Sequence, residues 1–89
     1  MVDLNENAKL VLYGREGCHL CQEMISSLQA LQAKIEFEFE VIDIDSDPEL
    51  VSLYNERIPV LVSAAGKRDE ICHYHLDVAA LGAYFAKIR

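Results

Sequence analysis

The fold of this chain is decided by the stretch Leu10-Val11-Leu12-Tyr13-Gly14-Arg15-Glu16-Gly17-Cys18-His19-Leu20-Cys21, where an apolar run meets two glycines and two cysteines. Four consecutive apolar residues are typical of a strand that is buried on both faces. After Gly17 the apolar residues recur with the period of one face of a helix. The residues on this face are Leu20, Met24, Leu28, Leu31 and Ile35. The sequence therefore predicts a strand, a short glycine-containing loop and an amphipathic helix.

A second strand and a second helix are predicted next. Apolar and acidic residues alternate in Phe37-Glu38-Phe39-Glu40-Val41, and we expect a strand that extends to Ile44. Asp47 is a suitable N-cap for a helix with Pro48 at its first position, where the missing N–H of proline costs nothing. This helix should run to about Asn55.

The last part of the chain predicts two strands and a helix. Ile58-Pro59-Val60-Leu61-Val62 suits a strand, because proline is tolerated at its start. A turn at Ala65-Gly66-Lys67 precedes a fourth strand over Glu70–His75. Asp77 should cap the final helix. The apolar face of that helix consists of Val78, Leu81, Phe85 and Ile88.

The order of elements, βαβαββα, predicts an α/β fold within one domain that spans residues 1–89. A strand–helix–strand start favours a parallel pair with a right-handed crossover, and the later turn favours an antiparallel hairpin. A mixed four-stranded sheet with helices on both faces satisfies both requirements.

Charge and hydropathy exclude several classes of function. The net charge is −7, from 15 acidic and 8 basic residues, which disfavours binding to nucleic acid or to an anionic membrane. No secretory signal is apparent in Met1–Lys9, and no apolar stretch approaches the ~20 residues that span a bilayer. We therefore expect a cytoplasmic protein. Two of its three cysteines are closely spaced, and in a reducing compartment this spacing indicates metal or redox chemistry.

Redox chemistry is favoured by the position of Cys18 and Cys21 at the start of a helix. Their spacing places both sulfurs on one side of the helix, close enough to bond. Free N–H groups and the helix dipole stabilise a thiolate at Cys18 by ~0.3–1 kcal/mol, and by up to ~2 kcal/mol in favourable cases. Lowering the pKa of the thiol by one unit requires ~1.4 kcal/mol. A protonated His19 and Arg15 would add to this effect. Cys18 would attack an external disulfide, and Cys21 would then release the reduced substrate.

Two other interpretations stay open. The spacing of Cys18 and Cys21 also occurs in half of many zinc sites, so that the pair could belong to a metal or iron–sulfur module. Cys72, His73 or His75 would have to supply further ligands, although a strand directs Cys72 away from both histidines. The thiols could also be incidental in an interaction domain. The strand–loop–helix context favours the redox interpretation.

The chain resembles small bacterial glutaredoxin-like proteins of the thioredoxin-fold family over nearly its whole length. The resemblance rests on the Leu10–Tyr13 strand, on Gly17–Cys21 opening the first helix, on Asp43–Leu50, on Ile58–Val60 and on the order of elements. It implies that Cys18 is the nucleophile and Cys21 the resolving thiol. It also implies that Pro59 follows a cis peptide bond facing the thiols, and that the Ile58 backbone pairs with an extended substrate.

Departures from the family pattern bear on glutathione, the candidate co-substrate. Arg15 stands where family members carry a lysine that meets the glutathione carboxylate, and His19-Leu20 replaces the usual Pro-Tyr. Cys72–His75 fills the region where a glycine pair lets the backbone approach glutathione, whereas Asp77 keeps a carboxylate there. We expect a monomer without a bound cofactor or metal. Its substrate would be a disulfide in a protein or a small molecule, and it would bind neither nucleic acid nor membranes.

Overall fold

The computed structural model describes residues 9–64 and 69–87 and contains the predicted order of elements. The predicted turn at Ala65-Gly66-Lys67 and the apolar position Ile88 lie outside these residues. The elements are β1 (Lys9–Gly14), α1 (His19–Gln32), β2 (Glu38–Asp43), a 3-10 turn (Ile44–Ser46), α2 (Pro48–Tyr54), β3 (Val60–Ser63), β4 (Glu70–His73) and α3 (Val78–Lys87).

The four strands form one mixed sheet in the order β2-β1-β3-β4. β1 pairs in parallel with β2, from Lys9 opposite Glu38 to Gly14 opposite Asp43. β3 is antiparallel to both β1 and β4. This arrangement confirms the predicted parallel pair and the predicted hairpin. It also makes β1 an inner strand, between β2 and β3. The C-terminal end of β1, which leads into α1, therefore lies near the middle of the sheet.

Both faces of the sheet are covered because β1 contributes apolar side chains to each. Leu10 and Leu12 pack on one face, together with side chains of α1 and α3 such as Leu28 and Phe85. Val11 and Tyr13 pack on the other face, against α2 and the 3-10 turn. The ring of Tyr13 stacks on that of Tyr54 in α2, with centroids 4.7 Å apart. Successive side chains of a strand point to opposite faces, which explains the division and confirms helices on both sides.

Several predicted boundaries and burials differ in the structure: β2 ends at Asp43 rather than Ile44, and Val78 on α3 is 61% exposed. β4 ends at His73 rather than His75, because Tyr74 has a φ of 64° and leaves the extended conformation. Val41 is 47% exposed, since β2 lies at the edge of the sheet and is not covered there. On α1 the buried residues are Cys21, Met24 and Leu28, so that Cys21 rather than Leu20 leads the core-facing stripe.

Asp47 and Asp77 cap the helices that follow them, as predicted. Asp47 Oδ1 accepts a hydrogen bond from the Glu49 N–H at 2.9 Å. Asp77 Oδ1 accepts one from the Ala80 N–H at 3.0 Å. In both helices the side chain satisfies a backbone donor that has no partner within the helix. Among the described helices, none combines the length and the apolar character required to cross a membrane.

Candidate active site

Cys18 is the N-cap of α1, with extended backbone angles of φ −86° and ψ 111°. Its Sγ accepts a hydrogen bond from the Cys21 N–H at 3.2 Å, and its carbonyl accepts the Gln22 N–H at 3.1 Å. The sulfur thus takes the place that a serine or aspartate oxygen takes in most N-caps. A negative charge on this sulfur would meet a backbone donor and the positive end of the helix.

The sulfurs of Cys18 and Cys21 are joined as a disulfide, with the Cα atoms 5.2 Å apart. This separation falls in the usual range for disulfides. Cys18 is half-buried, whereas Cys21 is only 3% exposed. An incoming molecule therefore reaches the Cys18 sulfur more easily than the Cys21 sulfur.

Gly14 leaves the space that the Cys21 sulfur occupies. A Cβ atom on Gly14 would lie 3.1 Å from Cys21 Sγ, which is tighter than nine in ten observed Cβ contacts. Gly17 has a different role, since its φ of +80° belongs to the left-handed region that side chains disfavour. The sequence pattern marked both glycines as breaks in the strand but did not indicate the steric role of Gly14.

Arg15 forms ion-pair and hydrogen-bond contacts with two residues far away in the chain. Its Nε lies 3.0 Å from Asp45 Oδ2, and its Nη2 lies 2.9 Å from Asp45 Oδ1. The same Nη2 donates to Asn55 Oδ1 at 2.8 Å. The hydrogen bond with Asp45 raises the pKa of Arg15. The sequence placed Arg15 near Cys18, but it gave no local signal for partners 30 and 40 residues away.

His19 projects into solvent from the first turn of α1. Its side chain is 84% exposed, and its Nε2 lies 3.5 Å from Glu23 Oε1 one turn further along the helix. A protonated His19 would therefore form an ion pair with Glu23. The modulating role predicted for His19 stays a prediction, with Glu23 as its observed neighbour.

Ile58, Pro59 and Asp77 lie on the segments that precede β3 and α3. The Ile58–Pro59 peptide bond is cis, Pro59 is buried, and the Pro59 carbonyl accepts the Tyr74 N–H at 2.8 Å. Asp77 caps α3, so one of its oxygens already accepts a hydrogen bond. Their substrate-binding roles stay predictions.

A groove of about 540 Å³ lies along one side of α1. His19 and Leu20, the two residues between the cysteines, line it together with Tyr74 and His75. Sequence reasoning placed Tyr74 in the fourth strand and did not single it out, because its neighbours give no sign of a left-handed backbone. The turn after β4 brings it to the groove.

Cys72 and its neighbouring histidines differ in solvent exposure. Cys72 is 8% exposed, and burial raises the pKa of its thiol. His73 is exposed and pairs through Nδ1 with Glu70 Oε2 at 2.9 Å, and His75 is exposed as well. Within residues 9–64 and 69–87, no three side chains of His, Cys, Asp or Glu come together in a way that could hold a metal ion. The additional ligands considered for a metal site are therefore not gathered around Cys18 and Cys21.

The family model described as "Glutaredoxin-like domain (DUF836)" matches residues 9–86. The chain belongs to this glutaredoxin-like family. The match includes every element from β1 to nearly the end of α3. It confirms the resemblance drawn from the Gly17–Cys21 segment and the order of elements.

Solved structures of similar proteins agree with this assignment. The solution structure of protein Ne2328 from Nitrosomonas europaea is 55% identical, with a TM-score of 0.80 over 94% of this chain and 98% of that one. The X-ray structure of protein XcR50 from X. campestris is 32% identical, with a TM-score of 0.62 over 88% and 96%. Thioredoxin 1 from Thermosipho africanus TCF52B, at 17% identity, shares the fold, with a TM-score of 0.58 over 89% and 91%. No curated protein matches the chain.

In this glutaredoxin-like chain, Tyr74 stands in the region where the family resemblance places a pair of glycines. Its φ of 64° is a conformation that glycine adopts without strain and that tyrosine rarely adopts. This chain thus carries a large side chain at a backbone conformation that is typical of glycine.

Proposed function

We propose that this protein is a thiol–disulfide oxidoreductase in which Cys18 is the nucleophile and Cys21 the resolving thiol. The observation that carries the proposal is the asymmetry of the pair: Cys18 is accessible and accepts the Cys21 N–H, whereas the bonded Cys21 sulfur is buried. In the thioredoxin fold, an accessible and a buried sulfur joined at a helix start are suited to attack and release, respectively.

The proposed reaction begins with both cysteines reduced. The Cys18 thiolate attacks one sulfur of the substrate disulfide, forms a mixed disulfide and expels the other substrate sulfur as a thiolate, which takes up a proton. Cys21 then loses its proton and attacks the Cys18 sulfur, which releases the second substrate thiol. Two electrons pass to the substrate, and the Cys18–Cys21 disulfide remains. An external dithiol, or two molecules of glutathione, would reduce it again.

Other residues near the pair have proposed roles in binding and modulation. The Ile58 backbone and Pro59 would contact an extended substrate segment, and Asp77 would add a carboxylate at the same side of the fold. Arg15 and His19 would modulate the charge around Cys18. We propose a monomer that acts in the cytoplasm on disulfides of proteins or small molecules, without a metal or a bound cofactor.

Turnover of bis(2-hydroxyethyl) disulfide with dithiothreitol as electron source tests the proposal. We expect the Cys18→Ser variant to lose all turnover above the uncatalysed rate. The reduced Cys21→Ser variant, freed of dithiothreitol and then mixed with the disulfide substrate, should accumulate a mixed disulfide at Cys18 that mass spectrometry detects. Cys72→Ser is the matched control and should keep the wild-type rate, because Cys72 lies in the core.

Two outcomes would contradict the proposal. One is full turnover by Cys18→Ser. The other is stoichiometric zinc or a coloured cluster in protein purified without oxygen, lost in both Cys18→Ser and Cys21→Ser. That second result would favour the metal or iron–sulfur module.

A further inference from the structure

Tyr74 is the one non-glycine residue with a positive φ in residues 9–64 and 69–87. The left-handed region is unfavourable for residues that carry a Cβ atom, so it persists only where other contacts hold it. Such strain in a residue beside a candidate active site is a reason to ask what its side chain does. Glycine would fit this backbone better, unless the tyrosine side chain is needed.

Two hydrogen bonds tie Tyr74 to the segment that precedes β3. Its N–H donates to the Pro59 carbonyl at 2.8 Å, and its hydroxyl donates to the Glu56 carbonyl at 2.6 Å. Tyr74 thus holds the segment 56–59 at both ends. An ion pair between Arg57 and Glu70 of β4 fastens the same segment from the side.

The Tyr74 side chain also faces the groove along one side of α1. Tyr74 is 41% exposed, and it lines the groove together with His19 and Leu20. One residue therefore contacts both the segment that contains Ile58 and Pro59 and the groove beside the residues between the cysteines. No other residue that lines this groove donates a side-chain hydrogen bond to that segment, among the contacts of the described residues.

We infer that Tyr74 is a positioning residue that favours polypeptide disulfides over small ones. It fixes the 56–59 backbone against which an extended substrate chain would pair, and it lines the groove together with His19 and Leu20, the residues between the two cysteines. A polypeptide gains from both features, whereas a small disulfide needs only the Cys18 sulfur. This inference rests on the proposed function, because it assigns Ile58 and Pro59 to substrate binding.

Three variants test the role of Tyr74. Tyr74→Phe removes the hydroxyl that binds Glu56 and keeps the ring. Tyr74→Gly removes the whole side chain, keeps the N–H that binds Pro59 and relaxes the backbone. Tyr84→Phe is the control, because it removes a tyrosine hydroxyl that hydrogen-bonds Ser63, and Ser63 pairs with Leu10 at the opposite end of β1 from Cys18.

Each protein is assayed with two substrates, using dithiothreitol as the electron source. One substrate is bis(2-hydroxyethyl) disulfide, and the other is an octapeptide dimer joined by a single cystine. For the peptide we expect KM to rise roughly 3-fold in Tyr74→Phe and roughly 10-fold in Tyr74→Gly, the range expected from loss of one hydrogen bond and then of a packing surface. We expect kcat, the KM for the small disulfide and the reduction potential of the Cys18–Cys21 pair to stay at wild-type values in all three variants.

The outcomes separate this inference from the proposed function. An unchanged peptide KM in Tyr74→Phe and Tyr74→Gly overturns the inference, and so does an equal rise in KM for both substrates. If Tyr74→Gly fails to fold, Tyr74→Phe decides, since it alters a single hydroxyl. Failure of the wild-type protein to reduce the small disulfide contradicts the proposed function instead.

Discussion

Arg15 and Asp45 form a bidentate ion pair that joins the loop before Cys18 to the 3-10 turn after β2. Two nitrogens of Arg15 lie 3.0 and 2.9 Å from the two oxygens of Asp45. Asn55, at the end of α2, accepts a third hydrogen bond from the same guanidinium. The loop that leads to Cys18 is therefore held by contacts with the opposite layer of the fold. The segment that begins at Asn55 leads directly into Pro59.

We predict that Arg15→Lys weakens this connection although it keeps the charge. A lysine ammonium cannot reproduce the planar two-nitrogen contact with a carboxylate. We expect a small fall in the urea midpoint of the oxidised protein, and a smaller fall in 1 M NaCl, because salt screens exposed charges. In a double-mutant cycle, Asp45→Asn should add little to Arg15→Lys. Fully additive effects would show that the pair does not act as a unit.

A substitution at Gly14 tests the close packing of β1 against the Cys21 sulfur, because a new side chain there would contact that sulfur directly. In Gly14→Ala the new Cβ would lie 3.1 Å from Cys21 Sγ, so that the sulfur or the strand must move. Overpacking of this kind costs about 1–3 kcal/mol. We expect urea unfolding of the oxidised protein to show this loss, and we expect a changed reduction potential of the pair in a dithiothreitol redox buffer.

Gly82→Ala is the matched control for Gly14→Ala. A Cβ on Gly82 meets nothing within 4 Å, and Gly82 lies inside α3. Alanine is favoured over glycine within a helix by about 0.5–1 kcal/mol. The control should therefore be more stable than the wild type and should keep its reduction potential. Equal destabilisation by both substitutions would rule out the contact with Cys21 as the cause.

Much of the fold followed from the sequence because its signals are local. The apolar run of β1, the helical period of α1 and the caps Asp47 and Asp77 each need only neighbouring residues. The position of Cys18 at the start of a helix is likewise predicted from neighbouring residues alone. These signals were sufficient for the order of elements, the mixed sheet and the pairing of two sulfurs.

The parts that sequence reasoning missed depend on contacts between distant segments. The partners of Arg15 lie 30 and 40 residues away. The left-handed backbone of Tyr74 is held by Pro59 and Glu56, so that a strand predicted to His75 ends earlier. The steric demand on Gly14 comes from a sulfur seven residues later that only the finished helix directs toward it. Local periodicity carries no information about such contacts.

Asp77 has two proposed roles, and two substitutions separate them. Asparagine caps helices about as well as aspartate but has no charge, whereas alanine neither caps a helix nor carries a charge. We expect Asp77→Ala to lower the free energy of unfolding by about 1 kcal/mol and Asp77→Asn to leave it nearly unchanged. If the carboxylate also binds substrate, both variants should show a raised KM for a positively charged disulfide such as cystamine. A KM raised in Asp77→Ala alone would restrict Asp77 to its capping role.

The buried thiol of Cys72 predicts how stability depends on pH in the alkaline range. Burial, as the largest cause, raises the pKa of Cys72 above its ordinary value of 9.0; a backbone hydrogen bond at Asp77 opposes this in part, and the negative charges of Asp77 and Glu70 add to the rise. As pH rises through this value, Cys72 ionises first in the unfolded chain, which therefore gains stability relative to the folded protein. We expect the free energy of unfolding of the oxidised protein to fall above about pH 9, where Cys18 and Cys21 cannot titrate.

Cys72→Ala isolates this contribution from those of lysines and tyrosines, which titrate in both proteins. The variant should be less stable at every pH because it leaves space in the core, but its stability should fall less steeply between pH 8 and pH 10. Urea unfolding at several pH values measures the two slopes. Equal slopes would mean that Cys72 titrates alike in the folded and unfolded chain, which would require water to reach its sulfur in the core. Rapid alkylation of Cys72 by iodoacetamide in the folded, oxidised protein would independently lead to the same conclusion.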